Sequence, residues 1–569
     1  MTKLLVPSFA VSVDGYGAGP SRTAHHPPGV GGAGELEWSP NIHRKSHGGL
    51  MRRRKRRIAI CALLASWAGI ANSAACGPNT VPIGLYRGTA KPLDGTTIEV
   101  MLNLRCARTT YTAQVFTSMG DFDVTDTRSH GGQVEVDFDS GASLGRLHLI
   151  SQGRMLDGIF DLGGDRGTIT LKKASPPLSP DAMKPNMNLS PVKWRADLRY
   201  LAEELPKRHA NAFFLISRAT FDSEVAALDR RIETANSDEI FVGLQQIVKS
   251  IGDGHTGMGT APPDRRGMPI KFAKFGNEFR VSGVGDGLDE ALGARLVKIG
   301  GIPIQEVWER VLTMTSQGEL MELRREDALI YLSRGYALHG LRIIPDRNHA
   351  TYSLEDDFGH PFDVDVQGLA PGESGRMKSG YSDAALRFQR ADQPFWCQAL
   401  DEQHAVYCAW HGYQKLEDNA KAMFTLIDQS HPSKLIIDMR DNGGGDNTVG
   451  EAQIVKPIAA RRDLNAKGHL YVLIGPTTFS AAMNNAAQLQ DDTHAITVGE
   501  TIGEKPNSYQ EPRQFRLPNS HLVVRASTLY YTFRKSGENA VHPNKEIIPT
   551  WDDVKSGRDP VLDWALARP

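Results

Sequence analysis

The segment His469-Leu-Tyr-Val-Leu-Ile-Gly-Pro-Thr-Thr-Phe-Ser480-Ala-Ala-Met changes from an apolar strand pattern to a helix-forming run that ends near Leu489. It therefore places Ser480 at the first turn of a helix, where backbone N–H groups have no intrahelical partner. The helix dipole favours negative charge there, so an alkoxide or a tetrahedral oxyanion would be stabilised. Serine is also an ordinary helix N-cap. This segment alone predicts a buried strand followed by a helix, with both a cap and a nucleophile open for Ser480.

A second apolar run ends in three glycines. It reads Lys434-Leu-Ile-Ile-Asp-Met-Arg-Asp-Asn-Gly443-Gly444-Gly445, a pattern typical of a buried parallel strand and its exit loop. Glycine can adopt positive φ and turn a backbone N–H outward. An oxyanion hole needs such a donor, although a plain glycine-rich turn would have the same sequence.

Two further loops carry side chains suited to proton transfer. Ile251-Gly-Asp-Gly-His255-Thr-Gly follows an amphipathic helical pattern, and histidine is the side chain best matched to proton transfer near neutral pH. Ser536-Gly-Glu538-Asn contains a carboxylate that could support such a base. Each loop is also compatible with an ordinary solvated surface.

Taken together, these segments resemble the tail-specific, or C-terminal-processing, serine protease family over roughly residues 195–565. Residues 252–256 are similar to its Asp-Gly-His-Thr element, 438–445 to its Asp-Leu-Arg-x-Asn-x-Gly-Gly element, and 478–503 to its nucleophile helix and following strand. The resemblance implies a nucleophile, a general base, a supporting carboxylate and oxyanion donors. It implies Ser480 as the nucleophile, His255 as the general base and Glu538 as the supporting carboxylate. The implied oxyanion donors are the backbone N–H groups of Gly443, Gly444 and Ala481.

The segment after Gly499 distinguishes two catalytic arrangements within that family. The Ser/Lys branch has Thr-Phe-Gly-Lys-Gly there, whereas this chain reads Thr-Ile-Gly-Glu504-Lys505-Pro-Asn, with Glu504 in the lysine slot. This segment is more similar to the sequence of the tricorn-core-like branch. That resemblance implies a Ser/His/Glu catalytic set, with Lys505 as the alternative base. Thr256 is a candidate to link Glu538 to His255.

Composition excludes several other classes of protein. The chain has 569 residues, of which 40% are hydrophobic and 23% charged, as in globular proteins with several domains. A formal net charge of −1 gives no case for nucleic acid or anionic membranes as partners. No Cys/His spacing indicates zinc, and we expect neither a metal nor a cofactor.

Residues 51–75 have the pattern of a secretory signal peptide. Met51-Arg-Arg-Arg-Lys-Arg-Arg57 is followed by a mostly apolar stretch over 58–70 and by small residues up to Ala75. Residues 1–48 resemble a fragment of a dihydrofolate-reductase-like, riboflavin-pathway reductase, and we interpret 1–50 as a vestigial or misassigned extension without activity. The pattern predicts a periplasmic or secreted protein with no stable membrane span after cleavage.

The cysteines agree with export. Removal of the signal would leave an even number, and we favour the pairs Cys76–Cys106 and Cys397–Cys408 in an oxidising compartment. Four free buried thiols are the alternative.

The rest of the chain divides by its hydrophobic pattern into an α/β core preceded by smaller units. Residues 293–307 resemble the strand–turn–strand and helix start of a PDZ-like domain, and the resemblance implies a Clp protease/crotonase-like fold for the core. The predicted units are an antiparallel all-β domain (76–173), a linker (174–191), a helical subdomain with the histidine loop (192–265), a PDZ-like or lid insertion (266–395) and the α/β core (396–569).

We therefore expect an exported serine peptidase that hydrolyses peptide bonds through an acyl-enzyme, with a peptide or protein as substrate. A non-catalytic ligand-binding or peptide-binding protein on the same fold is the alternative.

The order of the charged, apolar and small-residue segments predicts that the mature chain begins near Ala75 or Cys76. Intact-mass measurement of the exported product checks this. An exported chain that still begins at Met1 would contradict both the signal and the interpretation of residues 1–50.

Overall fold

The computed structural model describes residues 81–568, apart from 93–97, 108–109, 118–119, 140–143, 163–164, 175–183, 260–261, 263–266, 370–376, 383–384 and 535–536. The predicted extension, the signal peptide, Cys76 of the predicted Cys76–Cys106 pair and half of the predicted linker lie outside these residues. Within the described ranges no helix combines the length and the apolar character needed to cross a bilayer.

The first unit is a closed eight-stranded barrel in which each strand pairs antiparallel with the next and the last pairs with the first. Alternate side chains point inward, as along Val134, Val136 and Phe138, and fill the interior. Closure leaves no unpaired strand edge. The strands are Gly84–Pro92 (β1), Ile98–Ala107 (β2), Thr110–Thr117 (β3), Gly120–His130 (β4), Gln133–Asp139 (β5), Leu144–Gln152 (β6), Met155–Leu162 (β7) and Asp165–Lys173 (β8).

Three helices follow: Pro191–Arg208 (α1), Arg218–Arg231 (α2) and Ser237–Ser250 (α3). A capping box starts α3, because the Asn236 side chain accepts the N–H groups of Asp238 and Glu239 while the Glu239 carboxylate accepts the Asn236 N–H. Its apolar face packs into a core shared with α1 and α2. Since α3 ends directly before the histidine loop, this packing positions that loop, which continues into the short strand Gly257–Met258 (β9).

The insertion is built on a seven-stranded sheet with its own apolar core. A tight turn at Gly300 and Gly301, both with positive φ, connects two of its strands and leads into a helix. The elements are Ile270–Phe275 (β10), Glu278–Gly285 (β11), Arg295–Ile299 (β12), Ile302–Pro303 (β13), Ile304–Leu312 (α4), Met321–Tyr331 (α5), Gly335–Gly340 (α6), His349–Glu355 (β14), Pro361–Gln367 (β15) and Met377–Ser379 (β16). Its main path runs β10-β11-β12-β14-β15, with β13 beside β12 and β16 beside β11.

The C-terminal unit contains a six-stranded sheet with buried cores on both faces. Both faces are covered, so its central strands are buried along their whole length and mostly apolar. The elements are Phe395–Leu400 (β17), Ala405–Trp410 (β18), Leu416–Ser430 (α7), Lys434–Asp438 (β19), Asn447–Gly450 (α8), the π turn Glu451–Val455, Lys456–Ala460 (α9), Leu470–Ile474 (β20), Ala481–Asp492 (α10), Ile496–Gly499 (β21), Asn507–Arg516 (β22), Val523–Thr532 (β23), Lys545–Glu546 (β24), Trp551–Lys555 (α11) and Pro560–Leu566 (α12).

Strand pairing in this unit brings the important loops to one edge. The order is β17-β18-β19-β20-β21-β24, parallel except for the antiparallel β17–β18 pair. The carboxyl ends of β19, β20 and β21 therefore lie side by side, and each leads into a segment that sequence analysis singled out. A separate small sheet, β22-β23-β9, attaches the histidine loop to the same region.

The predicted disulfide between Cys397 and Cys408 is confirmed. The two residues face each other directly in the β17–β18 register, so the bridge joins neighbouring strands at the edge of the sheet.

A buried ion network fixes the end of β19. Arg440 donates hydrogen bonds to both carboxylate oxygens of Asp438, at 2.9 and 2.6 Å, and to both of Asp559, at 2.9 and 2.6 Å. All three side chains are buried. Asp559 also caps α12 by accepting the Leu562 N–H. The network thus ties the last helix to the strand end that precedes the glycine loop.

Replacement of Asp559 by alanine should destabilise the protein by about 3 kcal/mol or more, because half of the buried Arg440 guanidinium would lose its carboxylate partner. Urea unfolding followed by tryptophan fluorescence measures the change. Lys421→Ala removes the exposed partner of Glu417 on α7 and is the control, with no measurable shift expected. An Asp559→Ala midpoint equal to that of the wild type would contradict the role of the network.

Candidate active site

Ser480 lies at the turn between β20 and α10 in a backbone conformation that non-glycine residues rarely adopt. Its φ is 55° and its ψ is −126°, and its side chain makes no capping hydrogen bond to the helix. The hydroxyl Oγ instead lies 3.1 Å from Nε2 of His255. A strained residue persists only when its surroundings hold it, and such strain clusters at functional sites. Of the two interpretations left open for Ser480, the helix cap is not supported, because the side chain makes no capping hydrogen bond.

Neighbouring hydrogen bonds hold the strained turn. The Thr478 hydroxyl donates to the carbonyl of Met439 at 2.8 Å, and the Phe479 N–H donates to the carbonyl of Asn442 at 2.9 Å. Both acceptors lie in the segment between β19 and the glycines. The Ser480 turn is therefore fixed directly against the glycine loop.

Gly444 makes the closest approach to that turn. It has a φ of 109°, and a Cβ at this position would lie 2.8 Å from Cβ of Ser480 and 2.9 Å from the carbonyl oxygen of Phe479. Only glycine fits both the space and the backbone angle. Its own N–H donates to the Asn442 side chain at 3.0 Å and is thus occupied.

Within the part of the chain that the structure describes, the N–H groups of the other two predicted oxyanion donors, unlike that of Gly444, are not already hydrogen-bonded. Among the described residues, neither the Gly443 N–H nor the Ala481 N–H has an acceptor. Ala481 is the first residue of α10, where the helix dipole favours an anion. Gly443 and Ala481 are therefore the candidate donors that an oxyanion could use without breaking an existing bond.

A buried carboxylate organises the loop that carries His255. Oδ1 of Asp253 accepts the N–H groups of His255 and Thr256, at 3.1 and 2.7 Å, and the Ser527 hydroxyl at 2.6 Å, while Oδ2 lies 2.9 Å from Nε2 of His209. Burial alone would raise the pKa of Asp253, but the bonds from His209, Ser527 and Thr256 hold it below its ordinary value. His209 therefore helps to hold the buried Asp253 carboxylate in place.

The carboxylate beside His255 belongs to Glu504. Its side chain is fully buried, and Oε1 lies 3.3 Å from Nδ1 of His255, within ion-pair range but without hydrogen-bond alignment. The same carboxylate accepts the Ser480 N–H, and Nε2 of Gln510 donates to Oε1 at 3.2 Å. Glu504 therefore contacts both candidate catalytic residues.

The structure does not bring Glu538, the predicted supporting carboxylate, to His255. Glu538 is on the surface, with its side chain 55% exposed, and its carboxylate lies 3.7 Å from Arg534 and 3.9 Å from His542. Thr256 does not provide the proposed link, because its hydroxyl donates to Ser527 at 3.2 Å and accepts the Ser527 N–H at 3.1 Å. The carboxylate beside the histidine follows β21 instead.

Sequence reasoning placed Glu504 in a slot that a lysine occupies in related enzymes but gave it no role. The available signal was that Glu504 lies in the loop that directly follows a parallel strand, but Glu500 lies in the same loop and shares that signal. The adjacent Lys505 is half-buried, and in the described part of the chain its ammonium group makes no hydrogen bond or ion pair. The hydrogen bond of Ser480 Oγ is with His255.

The surroundings of His255 favour its neutral form. Burial lowers its pKa to about 4; Asp253 opposes this shift, and the charges of Lys249 and Arg525 add to it. The Phe479 ring stacks on the imidazole, with centroids 4.7 Å apart. A neutral imidazole with Nε2 facing a hydroxyl can accept a proton from it.

Within the described residues no group of three or more His, Cys, Asp or Glu side chains could hold a metal ion.

Residues 407–551 match the sequence profile described as peptidase family S41. This range contains the glycine loop, Ser480 and Glu504. The α/β core is an S41 peptidase domain. The protein is accordingly a serine-type peptidase, and His255 reaches its S41 domain from outside the matched range. No curated protein sequence matches the chain significantly.

Solved protease structures are similar to the chain at low identity. Mature CPAF complexed with lactacystin shares 12% identity over 66% of this chain and 97% of its own, with a TM-score of 0.48. The photosystem II D1 C-terminal processing protease shares 13% over 65% and 98%, with a TM-score of 0.31. The tricorn protease shares 12% over 84% of this chain and 46% of its own, with a TM-score of 0.30. At these values we draw no functional conclusion from the likeness.

Replacement of Glu504 by glutamine should lower kcat/KM by about 100-fold or more, because the buried carboxylate beside His255 would become a neutral amide. Glu538→Gln is the matched control and should retain wild-type activity, since that carboxylate is on the surface. Hydrolysis of a general protein substrate such as labelled casein measures both, with thermal unfolding to verify folding. Loss of activity in Glu538→Gln but not in Glu504→Gln would restore the role first predicted for Glu538.

Proposed function

We propose that this protein is an exported serine peptidase that hydrolyses peptide bonds through an acyl-enzyme on Ser480. His255 is the general base, and Glu504 is the carboxylate that supports it. The observation that carries the proposal is the 3.1 Å contact between Oγ of Ser480 and Nε2 of a buried, neutral His255 at a strained strand-to-helix turn.

The first chemical step follows from this contact. Oγ of Ser480 attacks the carbonyl carbon of the peptide bond while Nε2 of His255 takes the hydroxyl proton. The carbonyl oxygen becomes an oxyanion, which the N–H groups of Gly443 and Ala481 are placed to bind. A donor of this kind contributes roughly 3 kcal/mol to the transition state.

Collapse of the tetrahedral intermediate then breaks the peptide C–N bond. His255 returns the proton to the leaving amine, and an ester between Ser480 and the acyl part of the substrate remains. Water attacks the ester with His255 again as the base, which releases the carboxylic acid and restores the Ser480 hydroxyl. Throughout, the Glu504 carboxylate stabilises the imidazolium that forms in each half-reaction.

The disulfide bond in the core supports a location outside the cytoplasm. The Cys397–Cys408 bridge is of a type that persists in oxidising compartments and is rare where thiols are kept reduced. It agrees with the signal peptide expected at residues 51–75. The substrate follows from the peptidase class as a peptide or a protein.

A fluorophosphonate probe tests the nucleophile, because it labels only an activated serine. We expect the wild type to be labelled and Ser480→Ala to remain unlabelled, as read by intact mass and peptide mapping. Equal labelling of the two proteins would refute Ser480. A folded wild type that is never labelled would favour the non-catalytic binding protein.

The same probe distinguishes the two possible bases. His255→Ala should slow labelling by about 100-fold or more, the usual scale of general-base catalysis, while Lys505→Ala should leave most of the rate. Circular dichroism verifies that both variants fold. An active His255→Ala together with an inactive Lys505→Ala would assign the chain to the Ser/Lys arrangement.

A further inference from the structure

A short segment of the insertion, residues 316–320 between α4 and α5, contacts both loops of the candidate site. The Gly318 N–H donates to the carbonyl of Gly252 in the histidine loop at 3.0 Å, and the Leu320 N–H donates to the carbonyl of Gly503, directly before Glu504, at 3.3 Å. This segment therefore lies against the backbone of both the base and its carboxylate.

Glu319, in the middle of that segment, joins the two loops through its side chain. Oε1 accepts the Gly254 N–H at 2.8 Å, and Oε2 accepts the Lys505 N–H at 2.9 Å. Gly254 directly precedes His255, and Lys505 directly follows Glu504. The Glu319 side chain is buried, with 7% of the residue exposed. One carboxylate thus spans the two backbone segments that present the candidate base and its support.

We propose that Glu319 is a positioning residue, which holds the His255 loop and the Glu504 loop at their working separation and thereby makes the insertion part of the catalytic apparatus. The inference rests on the proposed function, because it takes His255 and Glu504 as the pair to be positioned. Glu319 contacts neither Ser480 nor the His255 ring through these bonds, so it acts through the backbone.

The hydrogen-bonding capacity of a carboxylate explains why position 319 has a glutamate. An ionised carboxylate has an acceptor on each oxygen and can satisfy two N–H groups that point at it from opposite loops. A protonated carboxyl or a glutamine amide keeps one acceptor and turns a donor toward the other N–H. That buried N–H would then lose its partner, so one loop would no longer be held.

The protonation of Glu319 changes near neutral pH. Burial raises the pKa of its carboxyl to about 7; Asp253 adds to the rise, while the N–H groups of Lys505 and Gly254 and the charge of Lys505 oppose it. The titratable groups on the elements packed against Glu319 are Asp253 and His255 in the histidine loop, Lys249 on α3, and Glu504 and Lys505 after β21.

We therefore expect two groups to limit activity at acid pH, and their pKa values are well separated. His255, with a pKa lowered to about 4, stays neutral as the pH falls from 8 to 6. Glu319 takes up a proton over that same interval. We expect the wild-type rate to fall with an apparent pKa near 7 as the two loops separate, with the loss due to His255 itself only at much lower pH.

The experiment measures the rate of fluorophosphonate labelling of Ser480 in full-length protein between pH 5 and 9. Glu319→Gln should lower the maximal labelling rate at pH 8 by about 10-fold, with the probe concentration for half-maximal rate unchanged, because the loops rather than the binding surface are disturbed. Its rate should also be nearly constant between pH 8 and 6, where the wild type declines.

Glu326→Gln is the matched control. Glu326 lies on α5 of the same insertion, and burial raises its pKa to about 7 as well, with the charge of Glu500 adding to the rise; among the described residues its carboxylate makes no hydrogen bond to the His255 loop or to the Glu504 loop. This variant should keep both the wild-type rate and the decline near pH 7. A purely structural effect of removing an acidic side chain from the insertion would appear in both variants.

The outcomes separate this inference from the proposed function. If the wild type is not labelled at Ser480, the proposed function fails and the inference falls with it. If labelling depends on Ser480 and His255 but Glu319→Gln keeps the wild-type rate and pH profile, or Glu326→Gln changes equally, only the inference is overturned. Should Glu319→Gln not fold, Glu319→Asp decides: its shorter carboxylate cannot span both loops, and an unchanged maximal rate would overturn the proposal.

Discussion

The buried carboxylate of Glu504 is the constraint on which the site depends. It accepts the backbone N–H of Ser480 and lies beside the imidazole of His255, so it connects the strained turn with the histidine loop. A buried charge is stable only when it is well partnered, and Gln510 supplies a further donor. Ser480 therefore contacts both the loop after β21 and the loop after α3.

Different levels of the fold could be predicted from the sequence to different extents. The strand-to-helix change around Ser480 is local, because the apolar run and the helix-forming residues are adjacent in the chain. Motif order indicated that Ser480 and His255 belong to one site, and they lie in contact in the structure. Alternation along β5 indicates a sheet, but closure into a barrel depends on the pairing of β1 with β8, which no local pattern encodes.

The supporting carboxylate shows why motif position alone can mislead. Glu538 and Glu504 both lie in loops near the sheet edge, and the position of Glu538 along the chain favoured it. Arg534 and His542 keep Glu538 at the surface, whereas Glu504 is drawn inward by the N–H of Ser480 and the amide of Gln510. Contacts between loops distant in sequence decide which carboxylate lies beside His255, and no local sequence pattern encodes them.

The candidate catalytic residues lie far apart in the sequence, so they are synthesised at different times. His255 and Ser480 are 225 residues apart in the chain, and Glu504 follows later still. A nascent chain would thus carry the histidine long before the serine, and it would have no complete site until nearly the whole protein had been synthesised. On the proposed function, a chain that ends before residue 480 would lack both the nucleophile and Glu504, and it would have no peptidase activity.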